Sequence, residues 1–398
     1  MIYNNKTIQY LVGSNKNLKK IITEPFSEIS LEFFNEISLE IFKNKNSKKY
    51  KDLISFAFWI RKKNLLKLKD NFLDQNFRLG LGTIFHLTPS NVPLAFVYSF
   101  LFGILSGNSN IVRVSKPNIE QVKLILNIIR KIFNKNKFRD LLISNSFIYY
   151  DRETNFSDYY CEFVDGRIIW GSDSTIEEFK RKKTNSKCID LFFGDKYSLS
   201  FISSKEINKL NKIDFLNLVK KFYNDVFLMD QNGCSSPHLI VWEKKPLVNT
   251  IELFWRNLDN YVQKNYLTNN SISSKKYQIL NNYLLNFKNL KITKFKGAHI
   301  TRLKIDKLKK NVSDLRGYSG IFFEYNLKNI KELKKIFNRK YQTLSYFGYN
   351  KLYLKKIFKE NKFEGIDRIV PIGSTLEMSL IWDGINVINH MSRIVDIK

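Results

Sequence analysis

The sequence has few of the residues from which disulfide frameworks and zinc sites are built. Its 398 residues include three cysteines and four histidines. Cys161, Cys188 and Cys234 are scattered along the chain and show no CxxC spacing. Neither a disulfide scaffold nor a zinc site is therefore indicated, and we expect no metal. This cysteine usage fits a reducing compartment.

Long apolar runs are also missing. The nearest approach is residues 92–105, a stretch too short to span a bilayer. The opening residues, MIYNNKTIQY, lack the charged-then-apolar pattern of a signal peptide. We expect a cytoplasmic protein without a membrane span.

Acidic residues are greatly outnumbered, because 66 Lys and Arg stand against 37 Asp and Glu and give a formal net charge of +29. Such an excess raises nucleic-acid binding as a hypothesis. The lysines, however, are spread over nearly every predicted helix and loop instead of forming one basic arm or stripe. We interpret the charge as a solvated surface that attracts anionic substrates or cofactors, and we expect no nucleic-acid partner. A basic nucleic-acid-binding protein is the non-enzymatic alternative.

Residues 1 to about 75 show apolar stripes that predict a helical cap. From Gly80 the pattern changes to alternating strands and helices, which predicts an α/β fold with parallel sheets. The strands are predicted at 82–87, 111–114, 146–150 and 167–170, and the helices at 94–105 and 121–133.

Cys234 lies in a turn, Asp230-Gln-Asn-Gly-Cys-Ser-Ser-Pro237, between a long amphipathic helix and the apolar strand 239–242. Gly233 permits a tight backbone and Pro237 stops the helix, so the thiol is placed on a constrained corner. This position predicts a nucleophile. The alternative is a small buried apolar residue, since free cysteine is often buried. The preceding helix C-terminus would raise a thiol pKa, so activation must come from elsewhere.

A second turn, Gly171-Ser-Asp-Ser-Thr-Ile-Glu177, follows the strand at 167–170. Ser174 and Glu177 have the spacing of a capping box and predict the start of a helix. A helix N-terminus after a glycine turn can hold a phosphate or ribose, although most such junctions bind nothing. The GxGxxG and Walker fingerprints are absent.

Four segments occur in a distinctive order: HLTPSNVP, GNSNIVRVSKPN, IIWGSDSTIEEFK and MDQNGCSSPHLIVWE. Together they resemble the aldehyde dehydrogenase superfamily, and more closely the LuxC-type long-chain acyl-CoA reductase family. The C-terminal segments Gly365–Gly373, Ile381–Gly384 and Ser392-Arg393, with Tyr341–Leu344, are also similar to that reductase family. The resemblance covers roughly residues 80–398.

The resemblance implies catalytic roles for two residues. Cys234 matches the nucleophile that accepts an acyl group as a thioester. Asn91 matches the side-chain amide of the oxyanion hole, with the Cys234 backbone N–H as the second donor. From the residues alone, the favoured role of Asn91 is that of an Asx-type turn stabiliser before Pro93.

The resemblance also implies a nicotinamide cofactor site. Thr88 and Pro89 match positions beside the nicotinamide, and Gly171 and Ser172 match the pyrophosphate turn. Arg113, with Ser115 nearby, falls close to the adenosine ribose. An arginine there can bind a 2′-phosphate, which favours NADPH (NADP), although an ordinary strand-end cation is the alternative.

One departure from the superfamily sets the expected reaction. Where oxidising members carry a catalytic glutamate, this sequence has an apolar residue in the segment Leu191–Ser198. Without a general base the acyl-enzyme resists hydrolysis, which suits exchange with coenzyme A and reduction to an aldehyde. Asp190 is a candidate substitute base, although its place at the end of a Lys-Cys-Ile-Asp stretch favours a structural role, and Glu324 is the nearest candidate for the ribose-binding glutamate.

We therefore expect an aldehyde dehydrogenase-like α/β fold with two parallel-sheet lobes and a cleft between them. The cap and NADP lobe occupy residues 1–205, the catalytic acyl-transfer lobe 206–370, and a segment at 371–398 returns to the first lobe. The expected activity is an oxidoreductase that reduces acyl-CoA to a fatty aldehyde through a thioester intermediate. A partner acyl-protein synthetase and a homo-oligomer are also expected. The enzymatic alternative is a cysteine acyltransferase or thioesterase without hydride transfer.

Overall fold

The structure is a computed structural model of the chain. It describes residues 7–14, 18–72, 76–266, 270–287, 290–293, 297 and 299–398. The chain divides into two compact units. The first consists of Met1–Asp195 and Met378–Lys398, and the second of Lys196–Glu377.

The strands and helices are numbered in chain order. The strands are β1 (Gln9–Gly13), β2 (Arg78–Gly80), β3 (Thr83–Leu87), β4 (Ser109–Arg113), β5 (Asn145–Tyr149), β6 (Gly166–Trp170), β7 (Ile189–Phe193), β8 (Tyr197–Ile202), β9 (Pro237–Trp242), β10 (Leu290–Ile292), β11 (Thr301–Ile305), β12 (Ile321–Asn326), β13 (Tyr341–Phe347), β14 (Arg368–Pro371), β15 (Ile381–Trp382), β16 (Ile385–Asn386) and β17 (Ser392–Ile394). The α-helices are α1 (Glu28–Lys43), α2 (Lys51–Trp59), α3 (Lys62–Asp70), α4 (Ala95–Leu105), α5 (Glu120–Phe133), α6 (Arg139–Ser144), α7 (Phe156–Phe163), α8 (Asp173–Lys180), α9 (Ser204–Ile207), α10 (Lys212–Phe227), α11 (Val248–Asn265), α12 (Asn270–Asn286), α13 (Lys351–Asn361) and α14 (Val387–His390). Short 3₁₀ helices occur at Lys45–Lys49, Asn136–Phe138, Lys310–Asp314 and Ile330–Lys335.

The first unit is built on a sheet that has six strands over the described residues, in the order β1-β5-β4-β3-β6-β7. Strands β3 to β7 run parallel, and β1 pairs antiparallel with β5. Every residue of β3 and β4 is buried, as expected when helices cover both faces of a parallel sheet. The chain adds β4 and β5 on one side of β3 and then adds β6 on the other, so the strand order reverses at β3.

The predicted helices at 94–105 and 121–133 are confirmed as α4 and α5. In α5 the buried residues Val122, Ile125, Ile129 and Ile132 recur at three- and four-residue spacing and form one apolar face. Helix α4 is buried along nearly its whole length, which explains its almost uniformly apolar sequence.

The N-terminal region differs from the all-helical prediction in one element. Residues Gln9–Gly13 form β1 at the edge of the first sheet, where β5 supplies their hydrogen bonds. Five residues are too few for apolar spacing to separate a strand from a helix, so the sequence pattern missed this pairing. Helices α1 to α3 follow as expected, while residues 1–6, 15–17 and 73–75 of the predicted cap lie outside the described residues.

The second unit contains a sheet of seven strands, counted over the described part of the chain, in the order β10-β11-β12-β9-β8-β13-β14. All its neighbouring strands are parallel except β10, which pairs antiparallel with β11. Helices α10 and α11 contribute to the apolar core on one face, and α12 and α13 to the core on the other. Both units therefore have the predicted α/β architecture with parallel strands.

The chain passes from the first unit to the second at Asp195–Lys196 and returns at Glu377–Met378. The sequence analysis drew these boundaries at 205 and 370. The physical reason for the first difference is that β8 pairs with β9 and β13, which makes it a central strand of the second sheet. For the second, the residues that follow β14 hydrogen-bond to Asp225 on α10 and so stay with the second unit.

The C-terminal segment Met378–Lys398 belongs to the first unit, where β17 pairs antiparallel with β2. The buried Arg78 guanidinium donates through Nε to Ser392 Oγ at 2.9 Å and through Nη2 to the Asn389 carbonyl at 2.7 Å. Elsewhere in the structure, no described helix is long and apolar enough to cross a membrane. Among the described residues, no group of three His, Cys, Asp or Glu side chains is placed to hold a metal ion.

Candidate functional site

The Cys234 turn connects the end of α10 to the start of β9, which confirms the predicted helix, turn and strand. Asp230 and Gln231 adopt left-handed backbone conformations, with φ of 50° and 61°. The chain can reverse here within a few residues because these conformations end the helix sharply. Cys234 is partly exposed and forms no disulfide, which argues against the alternative of a buried apolar residue.

The buried side chain of Gln231 fixes the turn. Its side chain is 1% exposed, its Nε2 donates to the carbonyls of Pro237 at 3.0 Å and Ile321 at 3.1 Å, and its Oε1 accepts the N–H of Gly320 at 3.1 Å. The amide therefore joins the turn to β9 and to the loop before β12. Sequence reasoning interpreted this residue only as part of a turn.

Two serine hydroxyls fix the backbone beside the thiol. Ser198 Oγ donates to the Cys234 carbonyl at 2.6 Å and accepts the N–H of Thr343 at 3.1 Å. Ser236 Oγ donates to the carbonyl of Asp225 at 2.8 Å. The backbone that carries Cys234 is therefore connected to β8, β13 and α10.

Two buried titratable groups lie near this turn, and the sequence analysis missed both. His238 accepts the Gly317 N–H at Nδ1, 3.0 Å away, and burial lowers the pKa of its imidazole to about 3. It is therefore neutral at physiological pH, with Nδ1 occupied. The Asp225 carboxylate accepts the N–H groups of Gly373 and Thr375, and burial raises its pKa to about 7. An acid within the apolar stripe of α10 was the sequence signal that could have revealed Asp225.

Asn91 lies in the first unit, in the turn that follows β3, and its side chain is exposed. An Asx turn would need the N–H of Pro93 two residues later, and proline has none. Across the described residues no hydrogen bond to the Asn91 side chain occurs, so the turn-stabilising alternative has no support. Cys234 belongs to the second unit.

The predicted cofactor residues lie at one edge of the first sheet. Thr88 and Pro89 follow β3, Ser115 follows β4, and Gly171 and Ser172 follow β6, so all of them lie at the carboxyl ends of adjacent strands. Ser115 Oγ donates to the Thr88 carbonyl at 2.6 Å. The strand order reverses at β3, and open parallel sheets bind nucleotides at such a reversal.

Gly171 and Ser172 lead into α8. A methyl group on Gly171 would lie 2.8 Å from the Thr175 side chain, so this close approach requires glycine. Ser172 is the N-cap, and its Oγ accepts the Thr175 N–H at 3.3 Å. The predicted capping box of Ser174 and Glu177 is therefore wrong: Ser174 lies inside the helix, and Glu177 pairs with Lys180.

The start of α8 offers backbone donors to an anion, as the predicted pyrophosphate turn requires. One group opposes such an anion. The Asp173 carboxylate lies in the first turn of α8 and accepts the Asp195 N–H at 3.1 Å. The sheet edge fits a nucleotide, while Asp173 makes this helix start less favourable for the phosphates.

Arg113 ends β4 and is 8% exposed. Its Nη2 donates to the Tyr150 carbonyl at 3.1 Å, and its guanidinium carbon lies 4.9 Å from the centre of the Tyr150 ring. Its Nε has no hydrogen-bond partner among the described residues. The guanidinium is thus largely a packing element, and its unpaired Nε is itself buried.

In the segment that replaces the superfamily glutamate, Leu191 and Phe193 are apolar and buried, at 1% and 3% exposure. Asp190 accepts from the Nε and Nη2 of buried Arg167 at 2.6 and 2.5 Å, which gives it a structural role. Glu324 likewise lies in the core of the second unit. It accepts from the indoles of Trp242 and Trp255 and from Arg302, and so is not available to a ribose.

Solved structures with similar folds are aldehyde dehydrogenases. Aldehyde dehydrogenase 21 from Physcomitrella patens, in complex with the reaction product succinate, has a TM-score of 0.64 at 11% identity, over 92% of this chain and 85% of that one. Glyceraldehyde-3-phosphate dehydrogenase GapN from Methanocaldococcus jannaschii, complexed with NADP, gives 0.59 at 13% identity, over 92% and 88%. Lactaldehyde dehydrogenase from Escherichia coli gives 0.58 at 13% identity, over 86% and 78%. The chain therefore has the aldehyde dehydrogenase fold.

The family follows from the sequence profile of the acyl-CoA reductases (LuxC), which matches residues 62–268. This is more than half of the chain, and the chain belongs to the acyl-CoA reductase (LuxC) family. The predicted resemblance is thereby confirmed. Comparison with curated protein sequences gave no match. Family and fold together define an oxidoreductase that acts on aldehyde or acyl groups.

Proposed function

We propose that this chain is an NADPH-dependent reductase that converts fatty acyl-CoA to an aldehyde through an acyl thioester on Cys234. The observation that carries the proposal is the construction of the Cys234 turn. The partly exposed residue Cys234 stands on a backbone fixed by the buried side chains of Gln231, Ser198 and Ser236. A position fixed in this way suits a nucleophile that must meet a carbonyl carbon in one orientation.

In the first step the Cys234 sulfur attacks the thioester carbonyl of acyl-CoA. The carbonyl oxygen becomes an oxyanion, for which we assign the Asn91 side-chain amide and the Cys234 N–H as donors. Collapse of this intermediate re-forms the carbonyl and expels coenzyme A as its thiolate. The acyl group is then held on Cys234.

The acyl-enzyme persists in this proposal because the chain supplies no base for its hydrolysis at the superfamily's glutamate position. Leu191 and Phe193 are apolar there, and the Asp190 carboxylate is held by Arg167. A persistent thioester can return its acyl group to coenzyme A or be reduced.

NADPH fits the carboxyl edge of the first sheet in its strand-order reversal and its glycine turn, and when bound it would supply the hydride that reduces the thioester. We assign Thr88 and Pro89 to the nicotinamide side, Gly171 and Ser172 to the pyrophosphate, and Arg113 with Ser115 to the adenosine ribose. Release of the aldehyde leaves Cys234 as a thiolate, ready for another acyl group. The proposal includes an acyl-protein synthetase as an alternative acyl donor and a homo-oligomeric enzyme.

A thioesterase or acyltransferase would commonly pair the cysteine with a histidine base. The neighbouring His238 does not suit that role, because its Nδ1 accepts a backbone N–H and burial lowers its pKa to about 3. This observation favours the reductase.

Intact-protein mass spectrometry tests the proposal. Incubation with hexadecanoyl-CoA should add one acyl mass, and NADPH should remove that mass and release hexadecanal. Cys234→Ala should abolish the adduct. Cys161→Ala and Cys188→Ala are matched controls that should retain it, since burial raises both thiol pKa values, that of Cys188 to about 12.

An adduct that is lost equally fast without NADPH would instead indicate a thioesterase. An adduct that survives in Cys234→Ala would show that the nucleophile is another residue. Either result contradicts the proposed mechanism.

A further inference from the structure

Asp225 is a buried carboxylate in the last turn of α10, and its exposure is 1%. Its Oδ2 accepts the N–H of Gly373 at 2.7 Å, and its Oδ1 accepts the N–H of Thr375 at 3.1 Å. Both oxygens of one side chain therefore bind the backbone of the segment that follows β14. We call this segment, Gly373–Glu377, the clamped turn.

Arg368 binds the same turn through its carbonyl groups. Its guanidinium donates to the carbonyls of Thr375, Ser374 and Glu377, each at 2.9 Å. The Asp225 carboxylate thus accepts hydrogen bonds from N–H groups of the clamped turn, and the Arg368 guanidinium donates hydrogen bonds to carbonyl groups of the same turn. Charge-assisted hydrogen bonds of this kind are stronger than neutral ones, so the turn is held in one conformation.

The clamped turn packs against the Cys234 turn, residues Asp230–Pro237. A methyl group added at Gly233 would lie 3.7 Å from Leu376 Cδ2, which places that leucine beside the residue before Cys234. On the other side of the thiol, Ser236 Oγ donates to the backbone carbonyl of Asp225 at 2.8 Å. Asp225 is therefore connected to the chain on both sides of Cys234.

We propose that Asp225 is a positioning residue for Cys234: its carboxylate holds the clamped turn against Gly233 and thereby fixes the orientation of the thiol. This inference rests on the proposed role of Cys234 as the nucleophile. Asp225 itself contacts neither substrate nor cofactor in this role and acts through the backbone.

The charge of Asp225 gives the role a measurable signature. Burial raises the pKa of this carboxyl to about 7, against the opposing effect of its backbone hydrogen bonds. Among the charged groups near it, Arg368 on β14 opposes this rise of the pKa, Glu377 of the clamped turn interacts with Arg368, and the Lys221 side chain of α10 lies beside Gly373. The ionised carboxylate binds both N–H groups strongly, and protonation weakens this hold. Positioning should improve as the pH rises through about 7.

Asp225→Asn removes the charge with little change of shape, and Asp259 offers a matched control. Asp259 is also a buried carboxylate on a helix of the second unit, at 8% exposure. Its Oδ1 accepts the N–H groups of His299 and Ile300, each at 2.9 Å. Asp259→Asn therefore removes the same chemistry from a different loop.

The measurement is the rate constant at Cys234, located by peptide mass spectrometry, for acylation by hexadecanoyl-CoA and for alkylation by iodoacetamide. Each rate constant is divided by the thiolate fraction of that protein, and the ratio of wild type to variant is then free of differences in thiol ionisation. For Asp225→Asn the acylation ratio should be about tenfold or more at about pH 8 and approach one near pH 6. The alkylation ratio should change over the same pH range. For Asp259→Asn both ratios should stay flat with pH.

Ratios that are independent of pH for Asp225→Asn, or equal pH-dependent changes in both variants, overturn the positioning role. If wild-type Cys234 is never acylated, the proposed function fails, and the alkylation ratio still decides whether Asp225 positions the thiol. The two failures are thus distinguishable.

A measurement on the wild-type protein covers the case in which Asp225→Asn does not fold. Hydrogen exchange of the peptide that contains the clamped turn, corrected for the intrinsic pH dependence, should show protection that changes between about pH 6 and about pH 8, where Asp225 ionises. Protection that is constant over this range contradicts the proposal.

Discussion

The two sheets present their candidate residues at opposite ends of their strands. In the first unit Thr88, Ser115 and Gly171 follow the carboxyl ends of parallel strands, and in the second unit Cys234 precedes the amino end of β9. The first arrangement leads into a helix N-terminus and suits an anionic cofactor. The second follows a helix C-terminus, whose partial negative charge opposes a thiolate.

The two candidate turns also differ in how they are held. Asn91 stands exposed on a turn that its side chain does not stabilise, whereas Gln231, beside Cys234, has three buried hydrogen bonds. Sheet topology thus places the cofactor candidates, while buried side chains place the candidate nucleophile. Substitutions should therefore affect chemistry alone in the first turn, and both chemistry and stability in the second.

The largest expected effect belongs to the exposed turn of the first unit. Asn91→Ala should slow acylation of Cys234 by about 100- to 1000-fold, the usual cost of removing one oxyanion donor, and leave the free energy of unfolding unchanged. Acylation reactions quenched at successive times measure the rate at Cys234, and urea denaturation measures the free energy of unfolding. The neighbouring exposed Ser90→Ala is the control and should match wild type. A loss of stability in Asn91→Ala would show that the two turns do not differ as described.

The pH dependence of stability separates the charge of Asp225 from its positioning. Burial raises the pKa of this carboxyl from its ordinary value of 3.8 to about 7, so the native state binds more protons than the unfolded state between these pH values. The contribution of Asp225 to the free energy of unfolding should therefore fall by on the order of 2–4 kcal/mol as the pH rises from about 4 to about 7.

Urea denaturation of wild type and Asp225→Asn across this range measures that contribution as a difference. The sign is opposite to that expected for acylation, which should improve as the pH rises. A difference that grows with pH would mean that the ionised carboxylate stabilises the fold, and the two effects would no longer be separate.

Gln231→Leu should destabilise the second unit. The apolar side chain leaves the Gly320 N–H and the carbonyls of Pro237 and Ile321 without their partner, at a cost of about 2–3 kcal/mol in the free energy of unfolding. Asn260→Ala, at an exposed position of α11 in the same unit, should cost under about 0.5 kcal/mol. Equal stability of Gln231→Leu and wild type would show that the buried hydrogen bonds of Gln231 do not set the Cys234 turn apart from the turn that carries Asn91.

The smallest effect is expected at the cofactor edge. Arg113→Ala should weaken NADPH binding about tenfold relative to NADH, because only NADPH carries the 2′-phosphate that a guanidinium binds. Both cofactors are titrated against the same variant. A loss of affinity caused by the missing contact between Arg113 and Tyr150 is therefore common to both cofactors and does not change their ratio. Equal weakening of the two cofactors would make Arg113 a packing residue only.

Much of the fold could be predicted because long periodic segments specify their own structure. The apolar spacing of α5 and the uniformly apolar α4 identify both helices within a residue. The edge strand β1 could not be recognised, since only its pairing with β5 distinguishes it from other short segments. The Ser172 cap was also missed, because the sequence around Ser174 satisfies an equally good local rule.

The candidate site could be predicted only where residues are close in sequence. The Cys234 turn is such a case, because Gly233 and Pro237 indicate a turn between helix and strand. The contacts that fix it come from Ser198, Thr343 and the clamped turn, which lie far away along the chain. Pairings of this kind depend on the order of strands in the second sheet, and a single sequence does not contain that order.

The hydrogen bonds between Arg78 and the segment Asn389–Ser392 have a consequence for synthesis of the protein. The second unit is one continuous stretch, so it can complete its folding as soon as its last residue leaves the ribosome. The first unit must wait for β17, which is translated after the entire second unit, before β2 gains its partner. On the ribosome, the domain that begins the chain is therefore the last to be finished.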